Sequence, residues 1–200
     1  MSIYKKVMGE DFFRLHPMLQ NRYSFPFQAK GIMSNIQGGP KWLFPFFWLG
    51  IKWKLLFPER GKHIPFSIKN TPLTGPHGEE QIHWERIFYF GQKERYFNAL
   101  MSLDQNRMLI KDYLGEPRLF YSDLTISVLS DGSLQIDSKD QRLVLGHLEI
   151  PLPKIFQGLA TVKEKYLEKR DTFYIKVTVT NPLIGTVFAY EGEFNAHEPA

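Results

Sequence analysis

"RLFYSDLTISVLSDGSLQIDS", residues 118–138, is the stretch of this sequence that decides the fold. Apolar and polar residues alternate on both sides of a short Ser-Asp-Gly segment, residues 130–132. Alternation with a period of two is typical of a half-buried β-strand. An Asp-Gly pair between two such runs is a strong signal for a β-hairpin. The stretch therefore predicts two antiparallel strands, 118–129 and 133–138, joined by a tight turn.

Similar segments follow one another through the C-terminal two thirds of the chain, and turn-forming residues separate them. Further strands are predicted at 81–90, 95–103, 107–114, 142–150, 160–169, 172–180 and 185–194. The segments do not alternate with helical patterns, which excludes a fold built of βαβ units. We therefore expect a mainly β (α+β) protein, whose antiparallel meander forms a strongly curved sheet or a barrel.

The N-terminal third differs from the rest in charge. Residues 1–62 carry ten Lys and Arg against three Asp and Glu, a net charge of +7, whereas residues 63–200 carry 15 against 18, a net charge of −3. We expect residues 1–200 to form a single domain, since this length is sufficient for one complete core. Within it, 1–62 is predicted to be a basic, aromatic and partly helical part, and its short helices pack on or cap the antiparallel β part, 63–200.

Gly and Pro mark the connections in this region. Residues 9–25 are predicted to be helical, with an interruption at Pro17. Residues 31–40 are rich in turn-forming residues, and 57–66 and 70–80 are predicted to be loops.

The composition excludes several classes of protein. Hydrophobic residues make up 43% of the chain and charged residues 23%, a balance that excludes intrinsic disorder. There is no cysteine, which excludes disulfides, thiol catalysis and Cys-ligated metals and fits a reducing compartment. The opening "MSIYKKVMGEDFF" lacks the apolar stretch of a secretory signal. We expect a cytoplasmic protein, and the basic N-terminal part leaves open a peripheral position at the inner face of the membrane.

The segment "GGPKWLFPFFWLGIKWKLLFPERG", residues 38–61, holds three of the four tryptophans. Its uncharged run is too short to span a membrane. It fits a short helix that opens at Pro40 or Pro45, or a half-buried strand from Ile51 to Leu55. We expect it to cover one end of the barrel, with its tryptophans packed against the sheet and its lysines in solvent. A core element, an interfacial membrane contact and the wall or lid of a ligand pocket all remain open. The residues concerned are Trp42, Trp48, Lys52, Trp53 and Lys54.

Alternation within the strands predicts which side chains face inward. In "QIHWERIFYF", residues 81–90, the more apolar face carries an arginine among three large aromatic residues. A buried arginine needs a carboxylate partner, and two acidic residues on other strands align with apolar neighbours. The predicted ligand-binding set is Trp84, Arg86, Phe88, Phe90, Asp112, Glu164 and Tyr190. Its charged members fit an ion-pair network that fixes strand register, a polar anchor in a hydrophobic cavity, or an acid–base pair for catalysis.

No catalytic or cofactor motif stands out. The sequence has no Gly-rich nucleotide-binding loop, no nucleophile elbow and no zinc-protease motif. The six histidines, at positions 16, 63, 77, 83, 147 and 197, have no metal-ligand spacing. We therefore predict no catalytic residue, no metal and no cofactor. Nucleic acid is not expected as a partner, because dense clusters of basic residues and the known modules are missing.

Two connections between strands are interpreted as structural. In "NPLIG", residues 181–185, the Asn side chain caps a turn and the Gly ends it with a positive φ. The segment "IPLPKIFQG", residues 150–158, reads as a rigid crossover spaced by prolines.

The order of these motifs resembles a known family. The matching segments are "LHPMLQNRY" (15–23), "IPFSIKN" (64–70), "W-x-R-x-F-x-F" (84–90), "IKDYLG" (110–115), "DGSLQIDS" (131–138), "IPLP" (150–153), "VKEKY" (162–166) and "NPLIGTVFAYEGEF" (181–194). Together they resemble DUF4166, a bacterial family of domains of unknown function. The resemblance implies no established activity. Members occur alone, behind membrane-spanning segments, or after a saccharopine-dehydrogenase-like domain, which implies a role beside membranes or beside enzymes that handle small or lipidic substrates.

Three functional hypotheses follow. The first is a non-enzymatic module that binds a hydrophobic or amphipathic small molecule or lipid inside the curved sheet, with Arg86 at the head group. The second is a membrane-surface or protein-interaction module with a solid core and exposed tryptophans. The third is an enzyme that uses Arg86, Asp112 and Glu164, which would have to line an open cleft.

Overall fold

The computed structural model describes residues 2–196, which form a closed antiparallel β-barrel with short helices at its ends. The helices are α1 (Ile3–Met8), α2 (Pro17–Ser24) and α3 (Phe44–Lys52). The strands are β1 (Phe27–Gly38), β2 (Ile64–Thr74), β3 (Glu80–Phe90), β4 (Lys93–Tyr96), β5 (Ala99–Asp104), β6 (Leu109–Leu114), β7 (Phe120–Val128), β8 (Leu134–Leu145), β9 (Leu148–Pro151), β10 (Leu159–Leu167), β11 (Thr172–Asn181) and β12 (Gly185–Ala196). Short 3₁₀ helices cover Gly9–Arg14, Lys41–Leu43, Lys154–Phe156 and Glu168–Arg170.

Ten of these strands form the ring of the barrel. Their order is β10-β11-β12-β1-β2-β3-β5-β6-β7-β8, and β8 pairs back with β10 to close it. Outside the ring, β4 extends β3 as a hairpin, and β9 pairs with the end of β8. The predicted fold, a mainly β antiparallel meander that curves into a barrel with short N-terminal helices, is confirmed.

The hairpin that decides the fold is present. The Asp131 carboxylate accepts a hydrogen bond of 3.1 Å from the Ser133 amide, and Gly132 has a φ of 76°. The second strand is longer than predicted, because β8 continues to Leu145. The predicted strand at 142–150 is therefore wrong: Gly146, with a φ of 61°, makes a turn that separates the end of β8 from β9.

Two strands of the ring lie where the sequence predicted turns and loops. The turn-rich segment 31–40 is largely strand, since β1 runs to Gly38 and pairs with both β12 and β2. The loops predicted at 57–66 and 70–80 overlap β2, which begins at Ile64 and ends at Thr74. The basic N-terminal part therefore supplies a strand of the barrel itself as well as helices.

The helices α1 and α2 and the 3₁₀ helix Gly9–Arg14 close one end of the barrel, which we call the base. The predicted interruption near Pro17 is confirmed, because the His16 side chain accepts a hydrogen bond from the Met18 amide and α2 begins there. From this region Ile3, Tyr4, Phe12, Leu15, Leu19 and Tyr23 are buried in the core. The Tyr4 hydroxyl accepts a hydrogen bond of 3.0 Å from the Trp84 indole, which fixes α1 to β3.

Aromatic side chains fill the middle of the barrel. Fully buried rings come from the second, third and twelfth strands and from the segment after α3, and they are Phe57, Phe66, Phe88, Phe188, Tyr190 and Phe194. The Phe66 and Phe88 ring centroids lie 4.9 Å apart, and those of Phe88 and Tyr190 lie 5.0 Å apart. Edge-to-face and tilted contacts at such distances stabilise a core beyond the area that they bury. These rings are in mutual contact and fill most of the interior at this level.

Candidate functional site

A large cavity lies at the end of the barrel opposite the base, which we call the mouth. It measures about 760 Å³. Its lining is almost entirely apolar and comes from α3 with its flanking residues, from the 155–158 connection, and from the turn between β11 and β12. Residues of the barrel wall complete it, namely Phe97, Leu114, Phe120, Gln141, Ala160 and Val179.

The helix α3 lies over this cavity with one face toward the barrel. Phe47 and Gly50, one turn apart, are its buried residues. At Gly50 a Cβ atom would lie only 2.9 Å from the Leu56 carbonyl oxygen, so the glycine permits the close approach of the following segment. Pro45 stands in the first turn of the helix, where a proline needs no hydrogen-bond donor. The open alternative of a strand at 51–55 is therefore wrong.

Backbone hydrogen bonds attach the end of α3 to the barrel. The Lys54 carbonyl accepts from the Asn98 amide at 2.9 Å, and the Trp53 carbonyl accepts from the Glu116 amide at 2.7 Å. The Lys54 ammonium lies 2.6 Å from the Glu116 carboxylate, which also accepts hydrogen bonds from Asn98 and His83. Although burial raises the pKa of Glu116, these hydrogen bonds lower it to about 2, so the carboxylate is charged at neutral pH.

The opposite wall of the mouth is held by Asn181. Its side-chain amide donates to the Ile155 and Gln157 carbonyls, both at 2.8 Å, which joins the β11–β12 turn to the 155–158 connection. Its side-chain oxygen accepts from the Leu183 amide at 2.9 Å. The predicted capping role of this Asn is confirmed, and so is the positive φ of Gly185, 77°. The turn has a second role that the sequence analysis missed, as part of a cavity wall.

The other polar side chains that line the mouth cavity are engaged in the same wall. The Gln141 side-chain oxygen accepts from the Gly158 amide at 2.9 Å, and the Gln157 side-chain amide donates to the Leu152 carbonyl at 2.7 Å. Because these amide side chains are hydrogen-bonded to backbone groups of the wall, the cavity presents mainly hydrocarbon surface to anything that enters it.

A second, much smaller cavity of about 30 Å³ lies deeper in the barrel. Phe97, Leu114 and Ala160 line both cavities and separate them. Arg86 and Asp112 face the small cavity, and a volume of this size holds one or two water molecules.

The polar atoms around the small cavity are unusual for their lack of partners. The Arg86 guanidinium donates to the Phe97 carbonyl at 3.1 Å, but its Nε atom and the Asp112 Oδ1 and Tyr190 hydroxyl atoms have no hydrogen-bond partner among the described residues. Burial raises the pKa of Asp112 to about 6, while the nearby Arg86 charge acts in the opposite direction.

Glu164, the third member of the predicted charged cluster, lies elsewhere. It forms an ion pair with Arg22 of α2, and both side chains are almost completely buried. The Tyr23 hydroxyl donates to the same carboxylate at 3.0 Å. The Arg22 guanidinium also lies over several aromatic rings, including that of Phe27 at 4.6 Å. The interior therefore contains two arginines, and the structure brings only Arg86 and Asp112 together at the small cavity.

The aromatic members of the predicted ligand-binding set are part of the packed interior. Trp84, Phe88 and Tyr190 are buried and Phe90 is half-buried. The predicted inward face of β3 is thus present, but none of these four residues lines the mouth cavity.

Two tryptophans of the segment 38–61 are less buried than expected. Trp42 is 61% exposed and Trp48 is 55% exposed, so the expectation that they pack against the sheet is wrong. The physical reason for Trp48 is that a helix of nine residues lying over the mouth buries only one stripe of its surface. Trp42 precedes this helix, in the 3₁₀ helix Lys41–Leu43, which has no buried residue. Trp53 is half-buried and lines the cavity, Lys52 is exposed, and Lys54 is held by Glu116.

Within residues 2–196, no three His, Asp or Glu side chains lie close enough together to hold a metal ion. His197 lies outside the described residues. In the same range, no helix has the length and the apolar character needed to cross a membrane.

Comparison with known proteins places the chain in a family. The family model described as "Domain of unknown function (DUF4166)" matches residues 15–194. The chain belongs to the DUF4166 family. It is also similar to the uncharacterized protein YndH of Bacillus subtilis (strain 168), with 40% identity over an alignment of 201 positions that covers 98% of each chain. The predicted resemblance is therefore confirmed.

The part of the chain that matches the DUF4166 model contains both cavities. Every residue that lines the mouth cavity lies between positions 42 and 187, and every residue that lines the small cavity lies between 86 and 190. The candidate site is thus built from the DUF4166 domain alone.

Proposed function

We propose that this DUF4166 protein binds a hydrophobic or amphipathic small molecule in its mouth cavity and catalyses no reaction. The observation that carries the proposal is the cavity itself, which is large, apolar and enclosed by α3, the 155–158 connection and the β11–β12 turn. Its volume of about 760 Å³ falls within the range of about 300–1,000 Å³ typical of small-molecule sites.

The lining favours a ligand with an apolar chain. Burying hydrocarbon against these walls yields about 25 cal/mol for each Å² removed from water. The amide side chains of Gln141, Gln157 and Asn181 are already hydrogen-bonded within the wall, so they do not demand a polar ligand group.

The polar end of an amphipathic ligand belongs at the rim of the mouth. The strand pattern predicts Arg86 as its partner, but the cavity beside Arg86 has room for only one or two water molecules. A ligand whose chain lies in the mouth cavity leaves its head group near the exposed lysines of α3 and of the 154–156 helix. Arg86 and Asp112 then act as a hydrated polar layer beneath the ligand.

The enzyme hypothesis has less support from the same geometry. It requires Arg86, Asp112 and Glu164 to line one open cleft. Glu164 is instead paired with Arg22, and the other two residues face a cavity too small for a substrate.

The experiment that tests the proposal uses an uncharged apolar fluorophore, N-phenyl-1-naphthylamine, and delipidated protein. We compare two variants that place the same large side chain on neighbouring residues of β12. Val187 lines the cavity, whereas Thr186 is exposed and does not. We expect Val187→Trp to fill the cavity and weaken binding of the fluorophore at least about tenfold, and Thr186→Trp to leave binding unchanged.

Two results would overturn the proposal: no binding of the fluorophore to wild-type protein at micromolar concentrations, or equal binding by the two variants. Circular dichroism and thermal unfolding verify that each variant is folded. If Val187→Trp does not fold, Ala160→Leu replaces it, because Ala160 also lines the cavity and the added volume is smaller.

A further inference from the structure

The rim of the mouth carries seven of the sixteen large hydrophobic side chains that are exposed in residues 2–196. They lie on α3 and its approach, on the 3₁₀ helix Lys154–Phe156 and on the β11–β12 turn, and they include Trp42, Phe46, Trp48, Leu49, Ile155, Phe156 and Leu183. Leu183 is 74% exposed and Phe156 is 68% exposed. The hairpin of β8 and β9 adds Leu145, Leu148 and Ile150 at the same end, since Leu143 of β8 pairs with Phe120 of the cavity wall.

Such an apolar surface is unusual for a protein that meets only water. Single exposed hydrophobic residues are common, but a contiguous group of them marks a surface that contacts a membrane or another protein. The helix α3 also has apolar residues on its solvent side, where a surface helix would normally carry polar ones.

The charges on three of the rim segments, those of α3, the 154–156 helix and the β11–β12 turn, have a single sign. The segments 39–56, 152–158 and 181–187 contain four lysines and no Asp or Glu. Lys54 is paired with Glu116, whereas Lys41, Lys52 and Lys154 are exposed and form no ion pair within the described residues. A cationic ring around exposed aromatic residues is complementary to an anionic surface that has an apolar interior beneath it.

We propose that the rim of the mouth docks on the surface of an anionic lipid bilayer. The exposed side chains of α3 and of the 154–156 and 181–185 segments enter the boundary between head groups and acyl chains, where tryptophan is favoured. The lysines reach the lipid phosphates on flexible side chains. A protein surface of opposite charge would satisfy the lysines, but it would not by itself account for so many protruding aromatic and aliphatic side chains.

Docking in this orientation places the opening of the cavity against the membrane. A ligand could then pass between bilayer and cavity without crossing water. This last point rests on the proposed function, whereas the docking surface does not, because Trp48 and Lys52 belong to the rim but do not line the cavity.

The test measures binding of the full chain to vesicles by sedimentation at low salt. One set of vesicles is phosphatidylcholine alone and the other contains about 30 mol% phosphatidylserine, as a stand-in for the anionic lipids of a membrane surface. We expect binding to the anionic vesicles, weakened about fivefold by Lys52→Gln and by Lys154→Gln and at least as much by Trp48→Ala. Matched control variants at the base are Lys169→Gln and Phe13→Ala, since both residues are exposed at the opposite end, and neither is expected to weaken binding.

The variant Val187→Trp separates this proposal from the binding of a ligand. We expect Val187→Trp to bind the fluorophore more weakly than wild type and the anionic vesicles equally well. We expect Trp48→Ala to bind the vesicles more weakly and the fluorophore equally well. No binding to either kind of vesicle overturns the docking proposal, as do equal effects of the rim and base variants. A wild-type dimer in analytical ultracentrifugation that Trp48→Ala converts to a monomer also overturns it, in favour of a second copy of the chain as the occupant of the rim.

Discussion

Asp112 carries a free-energy cost that depends on pH. Its carboxyl group is buried in the barrel beside Arg86, without a direct ion pair, and burial raises its pKa to about 6 from the ordinary value of 3.8. A carboxyl group whose pKa is raised by folding makes its full contribution to the free energy of unfolding at pH values below its unfolded pKa, where it is protonated in both states. That contribution is lost as the pH rises through the folded pKa.

We expect Asp112→Asn to remove this pH dependence. Relative to the variant, the wild-type protein should lose about 3 kcal/mol of unfolding free energy between pH 3.5 and pH 7, because each pKa unit corresponds to about 1.4 kcal/mol. Urea unfolding of both proteins at several pH values measures the difference. The exposed Asp140 of β8 provides the control, since Asp140→Asn should change stability by less than about 0.5 kcal/mol. A constant difference between Asp112→Asn and wild type across this range would contradict the expectation.

The orientation of the charged residues in the interior was predictable from the sequence, but their pairing was not. Alternation along β3, β6 and β10 correctly predicted that Arg86, Asp112 and Glu164 face inward, because a strand places every second side chain on the same face. It could not predict which charges meet. The partner of Glu164 is Arg22, which is supplied by a helix at the base, and no strand pattern gives the position of such a helix.

The β11–β12 turn is an element whose side chain holds a neighbouring element in place. We expect Asn181→Ala to destabilise the protein by about 1–3 kcal/mol, since the buried Gln157 carbonyl and the partly buried Ile155 carbonyl lose a donor. The 155–158 wall should loosen at the same time, so the fluorophore should bind more weakly. Thermal unfolding and the fluorophore titration measure the two effects. The control is Thr186→Ala on the exposed side of the same hairpin, and equal results for both variants would contradict this role.

The strands β1 and β2 were not predicted, because β1 contains a bulge and β2 contains two prolines. In β1 the buried residues Ala29 and Met33 keep a period of two, but a bulge between Met33 and Asn35 shifts the next buried residue to Ile36. Such a bulge breaks the alternation on which prediction of strands depends. In β2, Pro65 and Pro72 gave the signal of a loop, although they stand within a paired strand.

The cavity wall was only half predictable. The tryptophan-rich segment was expected to cover one end of the barrel, and α3 does so. The opposite wall comes from connections that were interpreted as purely structural. A usable signal was present there, because these connections contain large apolar residues, Ile155, Phe156 and Leu183 among them, beside their Pro and Gly residues.

At the scale of the whole molecule, the barrel depends on the seam between β1 and β12. The backbones approach closely here, and a Cβ atom on Gly31 would lie 2.1 Å from the Glu193 carbonyl oxygen and 2.5 Å from the Phe194 Cα atom. Gly192 faces the same restriction, since its Cβ atom would lie 2.3 Å from the Ile32 carbonyl oxygen. Both obstacles are backbone atoms, which cannot move without disturbing the pairing.

We expect Gly31→Ala to destabilise the barrel by more than about 3 kcal/mol, because the seam must separate locally to admit one methyl group. Gly158→Ala is the matched control: its Cβ atom would lie 3.3 Å from a Val179 methyl group, which can move aside. Urea unfolding of the two variants measures the difference. If they are equally stable, the seam does not depend on glycine.

The seam also determines when the barrel can close during synthesis on the ribosome. β1 is synthesised early and can pair with β2 soon afterwards, but its other edge has no partner until β12 emerges some 150 residues later. Until then, one row of unpaired amide and carbonyl groups stands open to other nascent chains. Growth conditions that slow translation prolong this interval, and the yield of folded protein should depend on chaperones that cover exposed strand edges.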